Sequence, residues 1–256
     1  MKLNPAQMRQ LFHDGYTIVP GAVPRLLVDR ARKAIHRHIG KHGIDPDRLT
    51  EFRSLSYCRE LQDQPELLDL FNRSPVFSLV ESALGEGLLQ EATLGQIAMR
   101  FPTTDDPEAR PHGHLDGVGT GDNGTPVGQF VRGFTALAVV LLSDLPNPTS
   151  GNFTVWPGSH RVAEAYFKHA TPDVLKQGQP KLDLPHPPVQ VTGRPGDLAI
   201  AHHQIIHGPA PNASPDIRYA AIFRARHVDA DAIGVDAMTD IWREWPALRH
   251  AVADDA

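Results

Sequence analysis

The sequence predicts a mainly β protein: an antiparallel sandwich or barrel with helices packed outside it. Three observations lead there. After residue 90, apolar stretches recur at irregular spacing, each bounded by Gly, Pro, Asn or Asp. Only one convincing helix interrupts them, which argues against regular βαβ crossovers and a parallel sheet. Glycine (21) and proline (23) are in surplus over their usual combined share of about 12%, as expected of many short elements joined by turns.

The elements follow in order. Leu3 to Asp14 reads as a helix closed by Gly15, and Tyr16 to Val19 as a strand ended by Pro20-Gly21. Arg25 to Lys41 carries Leu26, Leu27, Ala31, Ala34 and Ile35 at roughly helical spacing. Val76 to Leu84 resumes that pattern behind Ser74-Pro75, a cap residue followed by proline at the first helical position. Strands are then expected at 92–101, 134–142, 152–156, 189–192, 197–201 and 218–226. The single helix among them is placed at 159–168. The chain should return to helix over 235–248, where Trp242 and Trp245 read as packing residues. The whole is expected to be one domain, residues 1–256. Its parts are a mostly helical 1–90, a β core of about 91–228 and a helical 229–256.

Composition excludes several classes. With 25 basic and 30 acidic residues the net charge is −5, the wrong sign for a protein that neutralises phosphates. The longest apolar run, Ala136 to Leu142, is far short of the roughly 20 residues that span a bilayer. Met1 to Gln10 is polar, without the apolar stretch of a signal peptide. Cys58 is the only cysteine, so no internal disulfide is possible, which suits a reducing cytoplasm. The expected partner is a small molecule, with no nucleic acid, membrane or obligate protein partner.

Fourteen histidines make a metal site worth seeking. H-x-D arises about once by chance at this composition, yet it occurs twice, as His114-Leu115-Asp116 and His227-Val228-Asp229. In a strand, residues i and i+2 share a face, so the pattern aims an imidazole and a carboxylate at one point. A third ligand must come from elsewhere. After Asp229 only His250 remains, whereas His202, His203 and His207 all follow Asp116 at the end of an apolar strand. The first pair therefore has partners within reach, and the second reads as a strand end with a solvated aspartate. His207-Gly208-Pro209-Ala210-Pro211-Asn212 reads as a tight turn that would bring Arg218 back beside His207. Arg218 opens the otherwise apolar run Tyr219 to Phe223, and a buried guanidinium there needs an anion. That anion is a ligand carboxylate or, on the plainer reading, an acidic side chain of the protein.

These residues carry a resemblance. Phe12-His13-Asp14-Gly15-Tyr16, His114-Leu115-Asp116, Pro157-Gly158-Ser159-His160, and His207-Gly208-Pro209 with Asn212 and Arg218 stand in the order seen in the phytanoyl-CoA dioxygenase family. The sequence thus resembles these Fe(II)- and 2-oxoglutarate-dependent oxygenases over about four-fifths of its length. The resemblance implies a double-stranded β-helix, the cupin-like jelly-roll. It implies iron on His114, Asp116 and His207, and the distal carboxylate of 2-oxoglutarate on Arg218. Gln96, on a strand ahead of His114, is implied as a second co-substrate contact, unless it bonds backbone. The implied reaction consumes O2 and 2-oxoglutarate, hydroxylates an aliphatic C–H of a small molecule and releases succinate and CO2. Arg100 and His112 flank the expected mouth and are candidates to meet a polar or acidic substrate. Two other readings stand beside this one: a non-oxidative metal enzyme on the same scaffold (a hydrolase or isomerase), and a non-catalytic binding jelly-roll. His160 reads as structural, and His13, His36, His38 and His42 as surface residues. The loops 103–111 and 117–128 are the candidate lids.

Overall fold

A computed structural model describes residues 1–253; the last three residues of the expected C-terminal segment lie outside them. Among the described residues, eight strands form two antiparallel sheets. The larger contains β1 (Tyr16–Val19), β6 (Leu198–His202), β3 (Ala136–Leu141), β8 (Arg218–Ala225) and β2 (Gln96–Arg100), side by side in that order. The smaller runs β5 (Val189–Gln190), β4 (Phe153–Val155), β7 (His207–Pro209). The two face each other as a jelly-roll. Around them pack α1 (Pro5–Asp14), α2 (Arg25–His42), α3 (Leu49–Ser54), α4 (Pro65–Asn72), α5 (Pro75–Leu84), α6 (Ser159–Ala170), α7 (Ala230–Ile233) and α8 (Pro246–Ala253).

Local chemistry explains the helix starts. Asn4 accepts from Gln7 N at 2.9 Å and Gln7 Oε1 accepts from Asn4 N at 3.0 Å, a reciprocal cap that opens α1 at Pro5. Ser74 Oγ takes Val76 N at 3.1 Å, with Pro75 opening α5.

Period two explains the sheets. In β3, Ala136, Ala138 and Val140 join the core shared with the helices, while Leu137 and Val139 face the small sheet. Both faces are covered, so the strand reads as one unbroken apolar run. β6 divides likewise, with Leu198 and Ile200 facing the helices and Ala199 and Ala201 facing inward. In β2 and β8 the odd positions Ile97, Met99, Ala221, Phe223 and Ala225 pack on the helices. That leaves Gln96, Arg100, Arg218 and Arg224, at even positions, on the face toward the small sheet. There the sheets part around a cavity.

Two expectations are corrected. His207–Pro209 is not a turn but strand β7, paired with β4 through Phe153–Pro209, Thr154–Gly208 and Val155–His207. The connection 210–217 therefore crosses from the small sheet to the large one, and His207 and Arg218 lie on opposite walls rather than in one hairpin. Helix does not fill 235–248: a 3-10 turn at Gly234–Met238 leads through turns to α8, which starts at Pro246. Proline fits the first position of a helix and breaks its interior, and Trp245 just before it is fully buried in the helix-side core. Among the described residues no helix is long and apolar enough to cross a membrane.

Candidate metal centre

The centre is built on one pair of backbone hydrogen bonds. His114 N donates to His207 O at 2.9 Å, and His207 N donates to His114 O at 3.1 Å. This isolated bridge adds residue 114 to the edge of the small sheet and sets the two imidazoles side by side, with ring centroids 4.8 Å apart. Asp116, two residues on, reaches the same place. Its Oδ1 lies 3.2 Å from His114 Nε2 and 3.7 Å from His207 Nε2. Close approach of the two segments is allowed by Gly208, where a Cβ would stand 2.2 Å from His112 O. On the far side, Gln179 grips the intervening residue: Leu115 N donates to its Oε1, and its Nε2 donates to Leu115 O, both at 2.8 Å.

One ligand atom from each of His114, Asp116 and His207 lies within 4.8 Å of the other two, the only such His/Cys/Asp/Glu group of three among the described residues. His207 Nδ1 lies 3.0 Å from Ile205 O, a carbonyl that can only accept, so the proton sits on Nδ1 and Nε2 offers its lone pair to the centre. Burial pushes the His207 imidazole down to about 4 despite the opposing pull of Asp116, which keeps it neutral, as a ligand must be. For Asp116, burial alone would raise the carboxyl. The Arg224 guanidinium, the hydrogen bond to His114 and nearby His207 outweigh it and hold the pKa well below the carboxylate range. Two imidazoles and one carboxylate on one side, with open space on the other, suit iron(II) with coordination positions left for small ligands.

That open space is a cavity of about 1030 Å³ between the sheets, bordered by His114, Asp116, His207, Gln96, Arg100 and Arg218. Arg218 is 4% exposed. Its Nε donates to Gly151 O at 2.6 Å and Nη1 to Ala98 O at 3.1 Å. No acidic side chain pairs with it among the described residues, so the plainer reading of an internal ion pair finds no support. Burial, and then repulsion from Arg100, push its pKa down. Arg100 is its cross-strand neighbour on β2. Gln96 does not bond backbone; its Oε1 accepts from Arg224 Nη1 at 2.9 Å. His112 is exposed and does not border the cavity. The loop 117–131 forms part of the rim through Gly117, Val118 and Val131, whereas 103–111 does not border the cavity.

Two contributors escaped the sequence. Arg224 Nη2 donates to Asp116 Oδ2 at 3.0 Å, which leaves Oδ1 toward the histidines. The available signal was period two: Arg224 is six residues from Arg218 on one strand and so shares its face. Gln179 lies in a stretch without regular structure and gave no signal. Four further histidines are buried in the fold. His160 and His202 pack against Trp242 and Trp245, and His203 packs on His202. His227 is buried while Asp229 points to solvent.

A two-sheet jelly-roll with a His-x-Asp pair, a distant histidine and a buried arginine defines the class. The chain belongs to the phytanoyl-CoA dioxygenase (PhyH) family, whose model matches residues 12–220. No curated protein matches the sequence. Among solved structures, the chain is similar to the non-heme α-ketoglutarate-dependent carbocyclase SnoK of nogalamycin biosynthesis. The match has 19% identity and a TM-score of 0.58, and covers 87% of this chain and 83% of that one. It is also similar to the epimerase SnoN in complex with Fe3+, α-ketoglutarate and nogalamycin RO, with 20% identity, TM-score 0.57 and coverage of 87% and 84%. A third is EctD from S. alaskensis with 2-oxoglutarate and 5-hydroxyectoine, with 18% identity, TM-score 0.57 and coverage of 89% and 77%.

Proposed function

We propose that the protein is an Fe(II)- and 2-oxoglutarate-dependent dioxygenase of the cytoplasm that hydroxylates an aliphatic C–H of a small molecule. The observation that carries this is the conjunction in one cavity of the His114, Asp116 and His207 donors with a buried arginine that lacks an acidic partner. A plain metal hydrolase gives such an arginine no task. Family membership and relatives solved with iron or 2-oxoglutarate support the same reading.

His114, Asp116 and His207 would hold the iron. Iron held there would supply, with 2-oxoglutarate and O2, oxidative decarboxylation to succinate and CO2 coupled to insertion of one oxygen atom into a C–H bond. The protein's own part is positioning. Arg218, pinned by Gly151 O and Ala98 O, keeps N–H groups free for the distal carboxylate of the co-substrate, a charge-assisted contact made by a buried side chain. Gln96, fixed by Arg224, offers its amide to the same molecule. Arg224 keeps Asp116 ionised and directs Oδ1 to the histidines. Arg100 faces the substrate from the cavity wall.

Hydroxylation, rather than epimerisation, is supported by what the wall lacks. Among the described residues bordering the cavity there is no tyrosine or cysteine to return a hydrogen to substrate carbon. Hydroxyl insertion needs no such donor. The test is a substrate panel scored by succinate released above the uncoupled background, with 18O2 and mass analysis of the product. Label in a product hydroxyl is expected. Succinate formation coupled to an epimerised, cyclised or desaturated product without label would refute the hydroxylase assignment.

A further inference from the structure

Charge is distributed unevenly around the cavity. Six arginines border it, against two acidic residues, Asp116 and the exposed Glu91. Three of the arginines are already paired: Arg224 with Asp116, Arg59 with Glu51 and Arg226 with Asp231. Arg53, Arg100 and Arg218 have no acidic partner among the described residues. Arg100 stands between the other two: burial lowers its pKa, Tyr57 opposes this and Arg53 lowers it further, and Arg100 in turn adds to the burial that lowers the pKa of Arg218. Arg100 and Arg218 lie directly opposite each other on neighbouring strands, and Gly151 sits over both, where a Cβ would be 2.8 Å from Arg100 Cβ and 3.3 Å from Arg218 Cβ. Guanidinium groups held this way remain charged, and each needs an anion when water is displaced.

The co-substrate does not supply enough. One carboxylate of a 2-oxo diacid goes to the metal, and the other meets Arg218. Arg100, whose Nη1 finds only Met99 O at 2.8 Å, and the exposed Arg53 beyond it are left over. The cavity is also bordered by apolar side chains, Leu94 (59% exposed), Val131 (54% exposed) and the half-buried Leu55. The cavity is also at the large end of ordinary ligand sites, which run about 300–1,000 Å³, so it holds more than a 2-oxo acid.

We propose that the substrate is an amphiphilic anion, whose carboxylate, phosphate or sulfate group binds Arg100, with Arg53 at the mouth, and whose apolar body lies against Leu55, Leu94 and Val131. This rests on the iron- and 2-oxoglutarate-dependent reading above and names the substrate class for that site. The anionic group anchors the molecule, and the C–H to be oxidised belongs to the apolar part carried toward His114 and Asp116.

The test uses the full chain loaded with Mn(II), which does not turn over. Binding of 2-oxoglutarate is measured first by calorimetry, and its absence would count against the reading of the site, not against the substrate class. Octanoate, octyl phosphate and octyl sulfate are then titrated beside neutral octanamide. At least one octyl anion should bind about tenfold more tightly than octanamide, as one charge-assisted contact provides. Arg100→Gln should bring that anion to the level of octanamide while 2-oxoglutarate binding is retained. Arg53→Gln, a surface change that spares the core, should weaken the same anion by a smaller factor, so a folding defect in the first variant does not decide the matter. Octyl anions that bind no better than octanamide would overturn the proposal. So would an anion preference that survives both variants. A loss confined to 2-oxoglutarate in Arg100→Gln would also overturn it, by assigning both arginines to the co-substrate.

Discussion

Replacing Arg218 by methionine separates a ligand-binding arginine from a structural one. The side chain is 4% exposed, donates to two backbone carbonyls and meets no acid. Its removal costs two hydrogen bonds, about 1 kcal/mol each. It also relieves the burial of an uncompensated cation, worth several kcal/mol. The protein without co-substrate should therefore melt within a few degrees of wild type, or above it. Co-substrate binding should behave in the opposite way. Loss of a bidentate charge-assisted contact costs about 2–5 kcal/mol, which weakens 2-oxoglutarate by roughly 30-fold or more. At a concentration about 100 times the wild-type Kd, 2-oxoglutarate stabilises the metal-loaded protein by about 2.7 kcal/mol, and a 30-fold weaker variant by only about 0.9. For a chain of this size that is a rise of roughly 5–11 °C in wild type against 2–4 °C or less in the variant. A thermal-shift titration with Mn(II) reads both quantities. If the variant is strongly destabilised without ligand yet keeps the full 2-oxoglutarate shift, Arg218 is structural and another cation holds the co-substrate.

Arg224→Met removes the partner of Asp116 Oδ2. Metal affinity should fall about 10–100-fold, as is usual for residues that orient a ligand, and an unchanged Co(II) Kd would exclude that role. Gly151→Ala should weaken 2-oxoglutarate and cost on the order of 1–3 kcal/mol of stability, because the residue has φ 72° and its Cβ would press on Arg100; wild-type binding and melting would contradict this. Acid should destabilise the fold through His160, His202 and His203. Burial pushes the His160 imidazole down to about 3 and the other two well below their ordinary value. All three are neutral when folded and take up protons on unfolding, so stability is fully present above pH ~6.5 and is lost as pH falls toward 3. Each contributes at most about 1.4 kcal/mol per pH unit, and a flat denaturant midpoint over that window would refute the assignment.

What the sequence disclosed follows the physics of each element. Strands β2, β3, β6 and β8 were legible to within a few residues because apolar runs and the Gly, Pro and Asp that bound them act locally. His114 and Asp116 were legible from their i, i+2 spacing, although only His114 makes a strand-like bridge and Asp116 lies in the turn that follows it; Arg218 was legible because a charge heading an apolar run has to be compensated. The course of the chain between the sheets was not legible. Residues 210–217 look like a hairpin connection, yet whether β7 pairs with β8 or with β4 depends on partners more than fifty residues away. Arg224 was hidden because its task arises across strands, from Gln96 on β2 and Asp116 on the opposite wall. The end of the chain was misread as helix over 235–248, whereas Trp242 and Trp245 fill the core around His202 from a stretch of turns ahead of Pro246.

The central claim is that His114, Asp116 and His207 hold iron beside a 2-oxo acid in one cavity. Anaerobic titration of the purified protein with Fe(II) and 2-oxoglutarate tests it most directly. A weak visible charge-transfer band should appear only when both are present and saturate at one iron per chain. It should be absent from His114→Ala and His207→Ala and retained in His227→Ala, whose ring lies at the second His-x-Asp pair. Tight zinc binding with no such band, or a band that survives loss of His114 and His207, would contradict the account.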